Sequence, residues 1–189
     1  LLIIVDCQYQ NILMEERIFS KAKKVAIIDH HRRSPQAITN YAYIYTQSSA
    51  SSSVELVMEM SEFFNQELID ISGIEATWMI MGVVVDTNNF IYRTTSRTFN
   101  VLAKLQGYGA DMSKTQRYLR EAFSDYVKKI SILNNIEIYN GRYGIALCDD
   151  EIYPRSFLAK IANEIVTVNN ITSAFCIGKI SDNEIGISA

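Results

Sequence analysis

Val25-Ala26-Ile27-Ile28-Asp29-His30-His31-Arg32-Arg33 is the stretch that decides the fold. Four apolar residues in unbroken succession read as a short strand covered on both faces, as in the interior of a parallel sheet. The run then ends on an acid, the chain's only two histidines and two arginines. A strand crest offers little apolar burial to so many polar groups, so packing alone does not account for them. Ligands of open parallel sheets collect beyond the carboxyl ends of the strands. Imidazole beside carboxylate suits a borderline cation such as Mn2+, Zn2+ or Fe2+.

Working outward, Leu1-Leu2-Ile3-Ile4-Val5 repeats the pattern and predicts a second strand buried on both faces, ending at Asp6. The residues between the two runs leave room for one short helix, about 15–23, so a right-handed βαβ unit is the economical topology. That unit sets Asp6 beside Asp29, His30 and His31. A third strand is expected over 41–45. Ser51-Ser52-Ser53 caps an amphipathic helix over 54–64, and either Ser51 or Ser52 could face the site, although capping alone explains both. Residues 74–85 are nearly all apolar and predict a buried helix running into Asp86. The helix dipole disfavours an anion at that end, and a nearby cation would offset the cost.

A further helix is expected over 97–106, stopped by Gly107-Tyr108-Gly109. Near its start, Arg93 and Arg97 lie among Thr94, Thr95 and Ser96, a combination suited to phosphate oxygens. Arg32 and Arg33, directly after the histidines, are the other phosphate candidates. Met58, Met60, Met79 and Met81 read as core filler. Beyond Asp111 comes a longer polar helical stretch and then a second α/β pattern: strand 143–148, helix 156–167, strands 173–180 and 184–188. The expected class is therefore α/β: a parallel-sheet domain with flanking helices over 1–110, a helical connector over 111–137, and part of a smaller α/β domain over 138–189.

The composition narrows the function. Of the 189 residues 48% are hydrophobic and 21% charged, which excludes bulk disorder. Lysine plus arginine number 18 against 21 acids, a net charge of −3, which argues against a basic scaffold for duplex DNA. No apolar run approaches the roughly 20 residues of a membrane span, so no membrane contact is expected from this segment. Cys7, Cys148 and Cys176 form no CxxC pair, which gives no disulfide frame or thiolate zinc site and suits a reducing cytoplasm. Monomer and homodimer are both open.

Taken in order, Val5-Asp6, Ile27-Ile28-Asp29-His30-His31-Arg32-Arg33, Ala50-Ser51-Ser52-Ser53-Val54-Glu55-Leu56-Val57, Gly82-Val83-Val84-Val85-Asp86-Thr87-Asn88-Asn89-Phe90 and Ser96-Arg97-Thr98-Phe99 resemble the motifs of the DHH phosphoesterase superfamily. The wording is most similar to the GdpP-type cyclic-di-AMP phosphodiesterases of Gram-positive bacteria, and the later residues resemble the DHH-associated domain. The resemblance implies a two-metal, usually Mn2+-dependent phosphodiesterase that opens a cyclic dinucleotide by means of a metal-bridging hydroxide. By position it implies that Asp6 bridges the metals and that His30 and Asp86 complete the protein ligands of one. It further implies that Asp29 orients His30, that His31 contacts phosphate, and that Arg32, Ser52 and Arg97 help to bind substrate.

The superfamily's His-x-x-x-Asp-x-Asp segment would lie upstream of Leu1 and its Gly-Gly-Gly-His segment beyond Ala189, so the stretch alone is expected to be inactive. The resemblance implies a bacterial parent, and in the family's full-length proteins membrane helices precede this region. Two other readings stand beside this one: an oligoribonuclease or adenosine-bisphosphate phosphatase of the same superfamily, and a non-catalytic nucleotide-binding module.

Overall fold

In a computed structural model the chain divides into two compact units, Leu1–Arg120 and Glu121–Ala189. The structure describes residues 1–65, 67 and 69–189. The division falls inside the stretch expected to be a connector.

In the first unit, β1 (Leu2–Val5), β2 (Val25–Asp29) and β3 (Tyr43–Thr46) form a parallel sheet of order β1-β2-β3. A single-turn 3-10 segment and α1 (Glu16–Lys21) fill the first crossover. β2 is central, and successive side chains serve opposite cores because strand side chains alternate. Val25 and Ile27 pack with Ile4 and Ile38, while Ile28 packs with Ala50 and Leu56. β1 departs from expectation: Ile4 is buried, but Ile3 and Val5 are 55% and 46% exposed. Among the described residues β1 pairs only with β2, and nothing covers its second face.

Helices α2 (Ser53–Ser61), α3 (Gly73–Asp86), α4 (Ser96–Gly107) and α5 (Met112–Tyr118) complete this unit. Ser72 and Glu75 close a reciprocal capping box at the start of α3, satisfying two otherwise unpaired donors. Ala76, Ile80 and Val84 pack with Met58, Val101 and Leu105. The expectation that 74–85 is buried throughout fails on one side: Ile74, Trp78 and Val85 are exposed. Only a stripe of the helix meets α2 and α4. Gly73 permits a close approach there, because a Cβ would lie 2.7 Å from the backbone oxygen of Gly109.

The second unit opens with α6 (Phe123–Leu133). It continues through β4 (Glu137–Tyr139), β5 (Tyr143–Ile152), α7 (Arg155–Val166), β6 (Ser173–Ser181) and β7 (Glu184–Ser188). The sheet order is β4-β5-β6-β7, parallel between β5 and β6 and antiparallel elsewhere. Leu158, Ile161 and Ile165 of α7 pack on Ala146, Ala174 and Cys176. β4 was not expected, since three exposed residues carry no period to read. Among the described residues no helix is long and apolar enough to cross a membrane.

The close packing of α3 yields a stability test. Gly73→Ala should lower the unfolding free energy by about 1–3 kcal/mol, because the added carbon meets a backbone atom that cannot rotate away. Urea denaturation measures this, and an unchanged midpoint would contradict the packing described.

Candidate metal centre

The parallel register builds the site. Val5 pairs with Ile28, so Asp6, one residue beyond β1, comes level with the end of β2, and the Asp6 N–H donates to the Ile28 carbonyl at 2.9 Å. Asp6 has φ of 62°, a left-handed conformation that costs a non-glycine residue about 1–2 kcal/mol. One ligand atom from each of Asp6, Asp29, His30 and His31 lies within 4.8 Å of the others. Asp86, brought by the last residue of α3, places Oδ2 3.9 Å from His30 Nε2, and Asp6 Oδ1 lies 3.4 Å from the same nitrogen.

His30 is only 4% exposed, and its Nε2 makes no hydrogen bond of sound geometry. Its Nδ1 lies 3.4 Å from the Ala50 carbonyl, to which only an N–H can donate. The Asp6 contact raises the pKa of His30 against the opposing effect of burial, with the Asp86 charge adding to the rise. Conversely, the contact with His30 lowers the pKa of Asp6, assisted by the Ser53 hydroxyl. Burial raises the pKa of Asp86, opposed by the nearby Ser52 hydroxyl, while the Asp6 charge adds to the rise. Two carboxylates and a buried, unsatisfied imidazole nitrogen are a donor set for a divalent cation of borderline softness.

The expectation for Asp29 needs correction. Its fully buried carboxylate does not orient His30; Oδ1 accepts from the His31 backbone N–H at 3.1 Å and from His31 Nδ1 at 2.7 Å. Tight return of the chain after β2 brings the i+2 ring onto the acid, whereas His30 points across the sheet towards Ala50. Asp29 Oδ2 is buried without a hydrogen-bond partner. Arg32 is exposed. Arg97 is brought to α2 rather than into the cluster: its guanidinium meets Glu59 through Nε and Nη2, and Nη1 donates to Gln47 at 3.0 Å. Ser52 caps α2, accepting from the Val54 N–H at 3.3 Å, besides standing near Asp86.

Three further groups escaped the sequence reading. Gln8, fully buried, donates from Nε2 to the His31 carbonyl at 3.1 Å. Ser53 Oγ donates to Asp6 Oδ1 at 2.8 Å. Glu55, also fully buried, accepts from the Ser51 N–H and hydroxyl. The available signal was the serine run itself, since one cap uses one hydroxyl and three were present. Beside the ligands, a cleft of about 530 Å3 is lined by Asp6, Ser52, Ser53 and Asp86 together with Val57, Met79 and Val85.

Residues 1–83 match the DHH family, N-terminal domain. A membrane protein-large ribosomal subunit bL9 fusion protein of Aster yellows witches'-broom phytoplasma is 38% identical over all of this chain and 22% of its own length. The cyclic-di-AMP phosphodiesterase GdpP of Geobacillus thermodenitrificans is 35% identical over all of this chain and 29% of its own length. The chain thus spans less than a third of these relatives. In fold it resembles an exopolyphosphatase-related protein from Bacteroides fragilis, with a TM-score of 0.82 at 19% identity, covering 98% of this chain and 57% of that one. The histidine pair and the acids Asp6 and Asp29 thus lie within residues 1–83, the part of the chain that matches the DHH family, N-terminal domain.

Proposed function

We propose that this chain is the catalytic module of a divalent-metal-dependent phosphodiesterase that opens a cyclic dinucleotide, cyclic-di-AMP, to the linear dinucleotide. The observation that supports it is the buried His30 Nε2, without a hydrogen-bond partner yet 3.4 Å from Asp6 and 3.9 Å from Asp86. The substrate class rests on the full-length likeness to a protein named as a cyclic-di-AMP phosphodiesterase.

In this reading Asp6, His30 and Asp86 would hold the divalent cation, Mn2+ by preference. Divalent cations supply Lewis-acid charge to the phosphoryl group and acidify the attacking water. The remaining work belongs to the chain. Ser53 aims the Asp6 carboxylate, Ser52 stands beside that of Asp86, and the Ala50 carbonyl holds the His30 ring so that Nε2 is the ligating nitrogen. Asp29 Oδ1 accepts from His31 Nδ1–H, and the imidazolium form of that half-exposed ring would donate its Nε2–H to a phosphate oxygen. Gln8 fixes the His31 backbone from beneath. Arg32, exposed beside His31, is the guanidinium assigned to phosphate, because the donors of Arg97 are taken by Glu59 and Gln47. The second unit is read as the DHH-associated substrate-binding domain, and the free cysteines suit a cytoplasmic location.

Two outcomes test this reading. Asp86→Asn should weaken Mn2+ binding, followed calorimetrically, by at least about a hundredfold, since even the partners of ligands are worth ten- to hundredfold. In the protein that carries this chain, the same change should abolish hydrolysis of cyclic-di-AMP, which the unaltered protein should turn over in preference to a linear dinucleotide or adenosine bisphosphate. Equal turnover of all three substrates by the unaltered protein would contradict the substrate assignment. Separately, His31→Ala and Asp29→Asn should each lower kcat/KM about ten- to hundredfold, the value of a charged hydrogen bond. The double variant should lose scarcely more than either, because the two side chains act as a unit. Additive losses would show that Asp29 does not work through His31.

A further inference from the structure

We propose that Glu55 is a positioning residue of the metal centre: its buried carboxylate locks the turn 50–53, and that turn sets His30, Asp6 and Asp86. The inference rests on the reading of those three side chains as the metal ligands.

Each ligand is approached by a different residue of one short turn. The Ala50 carbonyl lies 3.4 Å from His30 Nδ1, Ser53 Oγ donates to Asp6 Oδ1 at 2.8 Å, and Ser52 lines the same cleft as Asp86. Ala50, Ser51, Ser52 and Ser53 are all buried. The remaining member, Ser51, faces away from the ligands and onto Glu55: its N–H donates to Oε2 at 3.1 Å and its hydroxyl donates to Oε1. Thr98 Oγ1, fully buried at the start of α4, adds a contact to Ser51 Oγ at 3.2 Å. Arg97 Nε lies 3.6 Å from Glu55 Oε2.

Helix capping does not explain this arrangement. Ser52 alone caps α2, and the cap needs no acid inside the protein. Glu55 is 0% exposed beside Leu56, also 0% exposed, where packing would favour another aliphatic side chain. A carboxylate withdrawn from water is costly unless charged or polar donors meet it. Here the donors are the Ser51 N–H and hydroxyl, and the Arg97 guanidinium stands 3.6 Å away as the opposite charge. Retaining an acid at this point therefore makes sense through what it holds, a turn whose other three residues stand beside three ligands. Arg97, placed between Glu55 and Glu59, supplies the compensating charge.

The test uses the whole chain and Mn2+ as the probe. Glu55→Gln keeps the size of the side chain and removes its charge and one acceptor. Calorimetry should show Mn2+ affinity falling about ten- to hundredfold. In the metal-free chain, the His30 Nδ1 resonance of 15N-histidine-labelled protein should shift, because the Ala50 carbonyl moves. A residue that merely supported the fold would lower the melting temperature and leave that resonance unchanged in the folded protein. Should Glu55→Gln fail to fold, Ser51→Ala removes a single donor and retains the charge; it should weaken Mn2+ severalfold and shift the same resonance in the same direction. Unaltered affinity and an unmoved His30 resonance in the folded variants would overturn the proposal. Failure of the unaltered chain to bind Mn2+ would instead remove the metal reading, and the His30 resonance alone would then decide the role of Glu55.

Discussion

A buried imidazole nitrogen between two carboxylates is the constraint on which the rest of the first unit depends. His30 Nε2 has lost water and gained no hydrogen bond, while Asp6 and Asp86 approach it from two different elements. Ser53 Oγ holds the Asp6 carboxylate, and Asp86, the last residue of α3, stands beside Ser52 in the same cleft. Several local oddities follow from satisfying this geometry. Asp6 adopts positive φ at the end of β1, α3 ends on an acid, and three serines precede α2. Each is mildly unfavourable or redundant alone, and strain of this kind persists where the surroundings over-determine it. Together they form one donor set.

Much of this was legible because it is written in local patterns. The unbroken apolar run of β2 marks a central strand, and the polar residues immediately after it mark the strand end where ligands gather. Asp86 was legible for a similar reason, as an acid at the wrong end of an apolar helix. What escaped depends on contacts between distant residues. Ser53 meets Asp6 across 47 positions, and Thr98 meets Ser51 across another 47. Neither pair leaves a periodic trace. The partner of Asp29 was misassigned because adjacent histidines look alike in sequence; only the path of the backbone decides which ring folds back onto the acid. β1 was read as doubly buried because composition reports apolarity and cannot report whether a second face finds a partner. The same limit explains α3, whose apolar residues include an exposed Trp78.

Arg97 illustrates how charge pairing redirects a functional reading. A guanidinium among hydroxyls near a helix start suits a phosphate, yet here Glu55, Glu59 and Gln47 surround it. Its neutralised position fits a support for the turn beside His30, and in the proposed reading phosphate contact falls to His31 and Arg32. The centre then has two layers with separate tasks: side chains that meet the cation or phosphate, and an inner lattice of Gln8, Ser51, Glu55, Arg97 and Thr98 that holds them. Reciprocal burial explains why the inner layer contains so many polar groups. Ser51, Glu55 and Thr98 pair with one another, Gln8 donates to the His31 carbonyl and Arg97 reaches Glu59 and Gln47, which leaves Gln8 Oε1 and Arg97 Nε without a hydrogen bond.

Pulsed electron paramagnetic resonance of Mn2+ bound to the chain, with histidine labelled by 15N, tests the central claim most directly. The chain has only two histidines, so a coupling can be assigned by substitution. The account expects a 15N coupling from one directly ligated imidazole, retained in His31→Gln and lost in His30→Gln. A coupling that survives His30→Gln, or bound Mn2+ with no histidine coupling at all, would contradict it.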